Sequence, residues 1–398
     1  MSRLSIAKCY RTSKNIIMSK YDVAIIGAGP AGSTVGYLLS KLGFRVLLID
    51  KSKFPRQKLC GGLLTFKTYK LVKRIFSLSN KDFSKLINFS SKAFRLYYKD
   101  NLILKGKSEK PFYFVDRDKY DLFFVEKAKQ QGAKIVEGEC VVNFKPSSNE
   151  IVTSSQKRYK AKFIIGADGV NSIIRKNLPI FDHKKWINNL AIAMEVFVND
   201  LDIREPHIYL GVVDIGYGWI FPNRNKIIVG LGGLMKNKRE NFVKKFREFL
   251  NKFGLKDSNK IKGHLVPSGN FIEKPIYGNT LLVGDAAGFV DPLLGEGIFY
   301  AHRSGEIAAW SIYFHLKENQ NLECIYGKLL RKYLLPQLKC AKKARKIFFK
   351  SAFAFQYFPF RFFLRLFQDQ MIDVVHGTKF YNPLKRWKKC CEPIQSAE

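Results

Sequence analysis

The chain is short of acid. Its 398 residues hold 33 Asp and Glu against 69 Lys and Arg, a formal charge of +36. Such a field favours anionic partners, whether nucleic acid, acidic lipid surfaces or phosphorylated substrates. A compact Arg/Lys motif and a recognised nucleic-acid module are also missing, so no specific nucleic-acid partner is expected. Lysine spread along the chain with asparagine, isoleucine and phenylalanine is equally what a compositional bias produces. The seven cysteines show no paired metal spacing, and a chain this long does not need disulfides, so a reducing, cytoplasmic setting fits. No run reaches the roughly 18 apolar residues that span a bilayer. Residues Met1 to Lys20 carry Arg3, Lys8, Arg11, Lys14 and Lys20 but no acid and no long apolar core, which excludes a secretory signal. A transit peptide, a disordered extension over 1–20 or a true start at Met18 all remain open.

What is present organises around Asp22 to Asp50. Val23 to Ile26 read as a strand buried on both faces. It breaks at Gly27-Ala28-Gly29-Pro30-Ala31-Gly32, where Gly27 permits the turn, Gly29 lets backbone approach a pyrophosphate and Gly32 allows close helix packing. Ala31 to Leu42 form the expected helix, with its N–H groups and positive dipole end toward the phosphates. After Gly43, Arg45 to Ile49 give a second strand, and Asp50 stands about 20 residues past the glycines, placed for ribose hydroxyls.

Further along, Pro55, Gly61 and Gly62 rule out one continuous helix, and the glycines beside Cys60 invite close approach of a ligand. A lone cysteine is ordinarily a small buried hydrophobe. Lys92 to Val115 alternate as antiparallel strands around a turn at Lys99-Asp100-Asn101. Tyr120 to Gln131 are expected to be helical, with Arg117 at the mouth as a phosphate contact or a structural cap. Ala133 to Val136 and Cys140 to Phe144 return to strands. Phe163 to Gly169 and Leu281 to Ala287 are two more apolar strands running into a glycine and an acid. The latter continues through Asp291 to Ile298 into a helix over about Phe299 to His315, whose start offers free N–H groups after an Asp. Between them, the small residues of Gly216 to Pro222 and Ile227 to Gly233 leave room for something large and flat, and Lys236 to Phe253 form a basic amphipathic helix. Beyond Lys342 the chain turns basic and aromatic, from Phe348 to Phe367 with a break at Pro359. This mixture suits either a membrane headgroup boundary or a helical cap on the core. Cys390-Cys391 is a modified or interfacial pair, or part of a solvated tail.

The glycine turn with Asp50, the GADG of Gly166 to Gly169 and the VGDAAG of Val283 to Gly288 together resemble the three flavin motifs of FAD-dependent hydroxylase-like proteins. Arg56 to Leu63 (RQKLCGGL), Tyr217 to Pro222 (YGWIFP) and Gly295 to Ile298 (GEGI) resemble the geranylgeranyl reductase family. The resemblance implies an α/β fold. A Rossmann-like FAD-binding domain, split over 21–75, 112–180 and 275–342, carries an inserted antiparallel β-sheet substrate domain over 76–111 and 181–274, and a C-terminal helical region follows over 343–398. Carried over by position, Gly27, Gly29, Ala31 and Gly32 hold the pyrophosphate and Asp50 the ribose. Arg117 approaches the cofactor, the Val141 backbone meets adenine, and Asp168, Gly169 and Gly284 belong to the binding motifs. Asp285 bonds the ribityl chain, and Gly295, Gly297 and Ile298 supply N–H groups to the flavin pyrimidine. Cys60 and Gly61 lie by the isoalloxazine, with Cys60 the candidate for proton relay or substrate orientation. Tyr217, Trp219 and Phe221 line a lipid cavity. Two positions depart from the family pattern: Leu63 stands where a third glycine is common, and Asp214 where a proline is. Both are expected to border the substrate.

The implied activity is saturation of carbon–carbon double bonds in a polyprenyl chain. Its electrons come from NAD(P)H or a ferredoxin-like protein, since no second complete βαβ unit is visible. The alternatives are an FAD-dependent monooxygenase of an aromatic or polyene substrate, and a membrane-surface binding protein without turnover.

Overall fold

The computed structural model describes residues 21–354 apart from 188, 200, 225, 236–240 and 256–260, together with 368–379 and 391–394. Two sheets face one another. In the first, Tyr21–Ile26 lies between Val46–Asp50 and Arg158–Gly166, all parallel, with Val23 level with Val46 on one side and Phe163 on the other. Val23, Ala24 and Ile25 are fully buried, which is why this strand is apolar at every position rather than at alternate ones. Lys134–Glu137 extends one edge, and Thr280–Leu282 with the antiparallel Ile276–Tyr277 extends the other.

The helix Pro30–Lys41 opens with proline in its first turn, where the missing N–H costs nothing. Gly32 is obligatory, because a Cβ there would lie 1.9 Å from the Gly27 carbonyl oxygen. A Cβ on Gly305 would reach 2.6 Å from Ala31 O, so glycine also lets the long helix Ile298–Glu318 cross Pro30–Lys41 at close range. Both helices thereby present their amino-terminal ends at the same edge of the sheet.

Several elements differ from expectation at their ends. The helix expected from Tyr120 runs Arg117–Gln130; the extended Asp116 is its N-cap and Asp118 sits in its first turn, where negative charge meets the helix dipole. The strand expected over Leu281 to Ala287 ends at Leu282, because Gly284 takes φ +55° and Gly284–Ala287 becomes a 3-10 turn. The expected helix Lys236 to Phe253 is described as Phe242–Asn251, with Asn241 accepting the Lys244 N–H as its cap. Its expected start, Met1 to Lys20, Phe355 to Phe367 with the Pro359 break, and Cys390 lie outside the described residues.

The second sheet runs in the order Lys262–Val266, Ala191–Val198, Lys226–Leu234, Gly216–Asn223, His207–Leu210, Phe89–Tyr98, Asn101–Phe114 and Leu63–Leu64. It is antiparallel except where His207–Leu210 lies parallel to Phe89–Tyr98. The boundary expected at 111/112 falls inside Asn101–Phe114, and Leu63–Leu64 pairs with that strand rather than with the first sheet. Alternation sorts the two faces. Val196, Ile220, Val229 and Leu231 pack with Phe246 and Phe249 of the amphipathic helix. Trp219, Phe221, Leu96 and Ile228 form a separate cluster on the other face. That second face looks back toward the glycine turn. The fold is thus an α/β arrangement in which a parallel-cored sheet carries a mostly antiparallel second sheet and C-terminal helices.

Candidate active site

Between the two sheets lies one cavity of about 2040 Å³, roughly twice the upper end of the ~300–1,000 Å³ that holds most small ligands. Its first end is polar. Gly27 adopts φ +98°, and a Cβ there would lie 2.4 Å from Ala167 O, so the first glycine turn and the GADG loop pass one another only because Gly27 has no side chain. The helix start at Gly29 carries no side-chain cap. Asp50 Oδ2 accepts the Ala28 N–H at 2.7 Å and Oδ1 accepts the Ser52 N–H at 2.9 Å, so the carboxylate expected to meet ribose also pins the turn.

Sequence reasoning missed Arg56 as more than part of a motif. Its Nη2 lies 3.2 Å from Asp121 and its Nε 3.9 Å from Asp50, which leans a cation over the phosphate turn beside Gly29. Arg117 lines the same cavity but spends its fork on Asp121, with contacts of 2.9 Å from Nε and from Nη2. Burial opposes its charge, and the Asp121 carboxylate together with the Cys60 sulfur outweighs that and holds the guanidinium above its ordinary pKa.

Asp168 Oδ2 accepts the N–H groups of Ile173 and Ile174 at 2.7 and 3.3 Å, capping the short helix Ile173–Lys176, while Oδ1 is buried and unbonded among the described residues. Gly169 has φ +79° with open space where a Cβ would stand, and Val141 lies on the cavity wall with Cys140 and Glu139. Asp285 borders the cavity beside Gly284 and Gly297, and burial raises its pKa. Arg175, stacked 3.6 Å from the Trp186 ring centroid, donates to Ala286 O and Val170 O, tying the second and third motifs together.

The loop Gly295 to Ile298 is held from two sides. The Tyr217 hydroxyl donates to Leu294 O. Lys67 Nζ lies 2.6 Å from Glu296 Oε2, and the Thr65 and Thr68 hydroxyls donate to Oε1 at 2.6 and 3.2 Å. The helix that follows starts at Gly297 without a side-chain cap. Uncapped helix starts at Gly29 and Gly297 therefore open on one cavity with Gly284, Asp50, Asp285 and Arg56. A diphosphate, a polyol and an electron-accepting ring each find suitable donors and acceptors there, so these residues fit FAD.

The other end is apolar. Phe94, Leu96, Ile208, Trp219 and Phe221 come from the second sheet, and Phe348 and Met371 from the C-terminal helices. Tyr217, Trp219 and Phe221 all border the cavity, as does half-buried Cys60, whose Sγ accepts the Gly62 N–H at 3.4 Å. A Cβ on Gly61 would strike the Phe221 ring at 2.7 Å.

The glycines of the second sheet leave room for something large and flat, as expected, but they leave it within the sheet's own packing. A Cβ on Gly230 would lie 2.2 Å from Trp219 Cε2, and one on Gly218 would lie 2.8 Å from Phe249 on the opposite face. The large flat objects they accommodate are the protein's own rings. Leu63 lines the cavity, but Asp214 does not. It pairs with Lys245 at 3.6 Å, on the side of the helix Phe242–Asn251.

Three further groups on the wall escaped sequence reasoning. Lys58 Nζ and His264 Nε2 are 2.6 Å apart; burial lowers both pKa values, with His264 falling to about 4. Glu195 is 1 % exposed. The signal that marks it is an acid at an inward position of the otherwise apolar strand AIAMEVFV.

The FAD binding domain family matches residues 20–325. The digeranylgeranylglycerophospholipid reductase of Methanocaldococcus jannaschii is 30% identical over 303 residues, covering 72% of this chain and 75% of that protein. This chain belongs to the geranylgeranyl reductase family of FAD-dependent oxidoreductases. A geranylgeranyl bacteriochlorophyll reductase-like protein from Thermoplasma acidophilum superposes with a TM-score of 0.70 at 22% identity, covering 89% of this chain and 91% of that one. PqsL of Pseudomonas aeruginosa, a probable FAD-dependent monooxygenase, does so at 0.66 and 15%, covering 83% and 96%. These two are likenesses of fold. The matched FAD binding domain spans the glycine and acid corners of the polar end, and no helix among the described residues is long and apolar enough to cross a membrane.

Proposed function

We propose that the protein is an FAD-dependent reductase that saturates double bonds in a polyprenyl, geranylgeranyl-type chain. The observation that carries this reading is the continuity of the cavity, with the FAD-suited glycine and acid corners at one end and a lining of Phe94, Leu96, Ile208, Trp219, Phe221 and Phe348 at the other. A flavin needs only the first end. The second has the chemistry of an isoprenoid chain, and the reductase name of the Methanocaldococcus relative agrees with it.

Gly27, Gly29, Ala31 and Gly32 would hold the pyrophosphate, Asp50 the ribose, Val141 the adenine and Asp285 the ribityl chain. Gly295, Gly297 and Ile298 would meet the pyrimidine edge. When bound and reduced, FAD supplies a hydride. The chain's residues do the rest. The N–H groups at the Gly297 helix start favour negative charge on the ring beside them. Trp219 and Phe221 orient the alkene, exclude water and stabilise partial positive charge at a tertiary carbon through their ring faces. Cys60, at the junction of the two ends, orients the substrate or relays a proton.

Reducing equivalents come from NAD(P)H or from a ferredoxin-like protein drawn to the basic surface. The C-terminal helices that wall the apolar end are the natural approach for a lipid, and peripheral contact of this end with a membrane goes with the reading. A monooxygenase is the second reading, favoured by the fold shared with PqsL. Incubating the anaerobically reduced holoenzyme with a pool of geranylgeranyl lipids separates the two by product mass, two hydrogens gained or one oxygen. A protein that stays colourless and binds no added FAD would instead be the binding protein without turnover.

A further inference from the structure

Glu195 lies on Ala191–Val198, where Met194, Val196 and Val198 face the core under the helix Phe242–Asn251 and Ala193 and Glu195 face the cavity. Its register partners are Gly230 on one side and Lys262 on the other. Because Gly230 has no side chain, the Trp219 indole lies across it. The Cys60 backbone N–H and the Trp219 indole N–H both face the Glu195 carboxyl. Even so, neither Glu195 Oε2 nor Trp219 Nε1 closes a hydrogen bond among the described residues. A buried acceptor and a buried donor are thus left open at the junction of the polar and apolar ends, which is costly unless a ligand or a proton completes them.

The cations around it are engaged elsewhere. Lys262 Nζ bonds Gln57 Oε1 at 2.8 Å, Arg117 is forked to Asp121, and Lys58 pairs with His264. A carboxyl that is dry and lacks a contacting cation keeps its proton. Burial pushes Glu195 up to about 7, against the opposing pull of the Cys60 N–H, the Trp219 N–H and the Arg117 charge. The negative charge of a reduced flavin nearby would favour the neutral acid further.

We propose that Glu195 is the general acid of the reductive step and gives its carboxyl proton to the alkene carbon that does not receive hydride. This rests on the prenyl-reductase reading above. The Glu195 O–H bond breaks and its electron pair stays on the carboxylate. The alkene π pair makes the new C–H bond, and the other alkene carbon takes hydride, with its two electrons, from the reduced flavin. The alkene gains two hydrogens, the flavin is oxidised, and one negative charge passes from flavin to Glu195, which recovers a proton from water before the next turnover. Cys60 then has the orienting role.

The test uses the FAD-loaded full chain with Glu195→Gln and Glu195→Asp. In anaerobic single turnover with geranylgeranyl lipids, Glu195→Gln should slow alkene reduction about 100-fold or more, leaving flavin content, bleaching by dithionite and the KM for lipid unchanged. Wild-type activity should fall as pH rises through about 7. The Gln variant should lose that limb, and the Asp variant should keep it while recovering part of the rate. Infrared spectra from about pH 5 to about pH 9 should show a protonated carboxyl titrating in wild type and missing from Glu195→Gln. A Gln variant with the wild-type rate and pH profile overturns the proposal while leaving the reductase reading intact. Should wild type reduce no prenyl lipid, that reading fails. Whatever the lipid outcome, a Glu195 carboxyl already ionised at the acid end of the infrared titration overturns the proposal, because it then holds no proton to give.

Discussion

The Trp219 indole lies across Gly230, so closely that a Cβ on Gly230 would stand 2.2 Å from Cε2 and 2.3 Å from Cζ2. Gly230→Ala must therefore push the indole into the cavity. Overpacking of this kind costs about 1–3 kcal/mol. The expected outcome is a modest loss of melting temperature, unchanged FAD binding by flavin absorbance, and at least a tenfold rise in the KM for a prenyl substrate, by analogy with about 1.4 kcal/mol per factor of ten. An unchanged KM would show that Trp219 does not bound the substrate space.

Lys67 is 1 % exposed and holds Glu296 at 2.6 Å. Lys67→Met removes the cation but leaves the carboxylate buried, a change that costs about 3–5 kcal/mol. Urea denaturation should register it, and because Glu296 sits in the loop of Gly295 and Gly297, the variant should also release FAD more readily. Lys67→Met with Glu296→Gln should recover most of the stability.

Asp50 carries two backbone N–H groups at 2.7 and 2.9 Å. Hydrogen bonds to charged groups contribute about 1.5–3 kcal/mol, so Asp50→Ala should weaken FAD affinity by at least tenfold, read as release of flavin fluorescence on dilution.

His302 is fully buried between the Thr34 hydroxyl at 2.7 Å and the Tyr120 hydroxyl at 2.9 Å. Burial, with a smaller push from Arg117, lowers its pKa to about 3. Below about 6.5 the unfolded chain takes up a proton that the folded chain refuses, so stability is lost as pH falls from there toward 3, by up to about 1.4 kcal/mol per pH unit for this one group. Denaturation midpoints across that window should decline less steeply in His302→Gln, which keeps a hydrogen-bonding side chain but does not titrate.

The parallel core was legible because a strand buried on both faces must be apolar throughout, as at Val23 to Ile26, and because the turn at Gly27 to Gly32 tolerates little besides glycine. The placement of Tyr217, Trp219 and Phe221 on the cavity was legible through resemblance. What the residues could not reveal was long-range pairing. Arg56 meets Asp121 across 65 positions, and Glu195 reaches Trp219 only because Gly230 intervenes on a third strand. Periodicity says which face a residue takes but not what faces it. For the same reason the glycines around Gly230 read only as room for something large and flat, which is an indole, and Asp214 read as a border of the substrate when it faces Lys245.

On the proposed function, one cavity sets a prenyl chain against a flavin. The most direct test is the mass of geranylgeranyl lipids after incubation with the purified, yellow, dithionite-reduced protein under anaerobic conditions. A gain of two hydrogens for each double bond saturated, dependent on bound FAD, is expected. Unchanged lipid masses with a flavin that stays reduced, or a gain of oxygen once air is admitted, would contradict it.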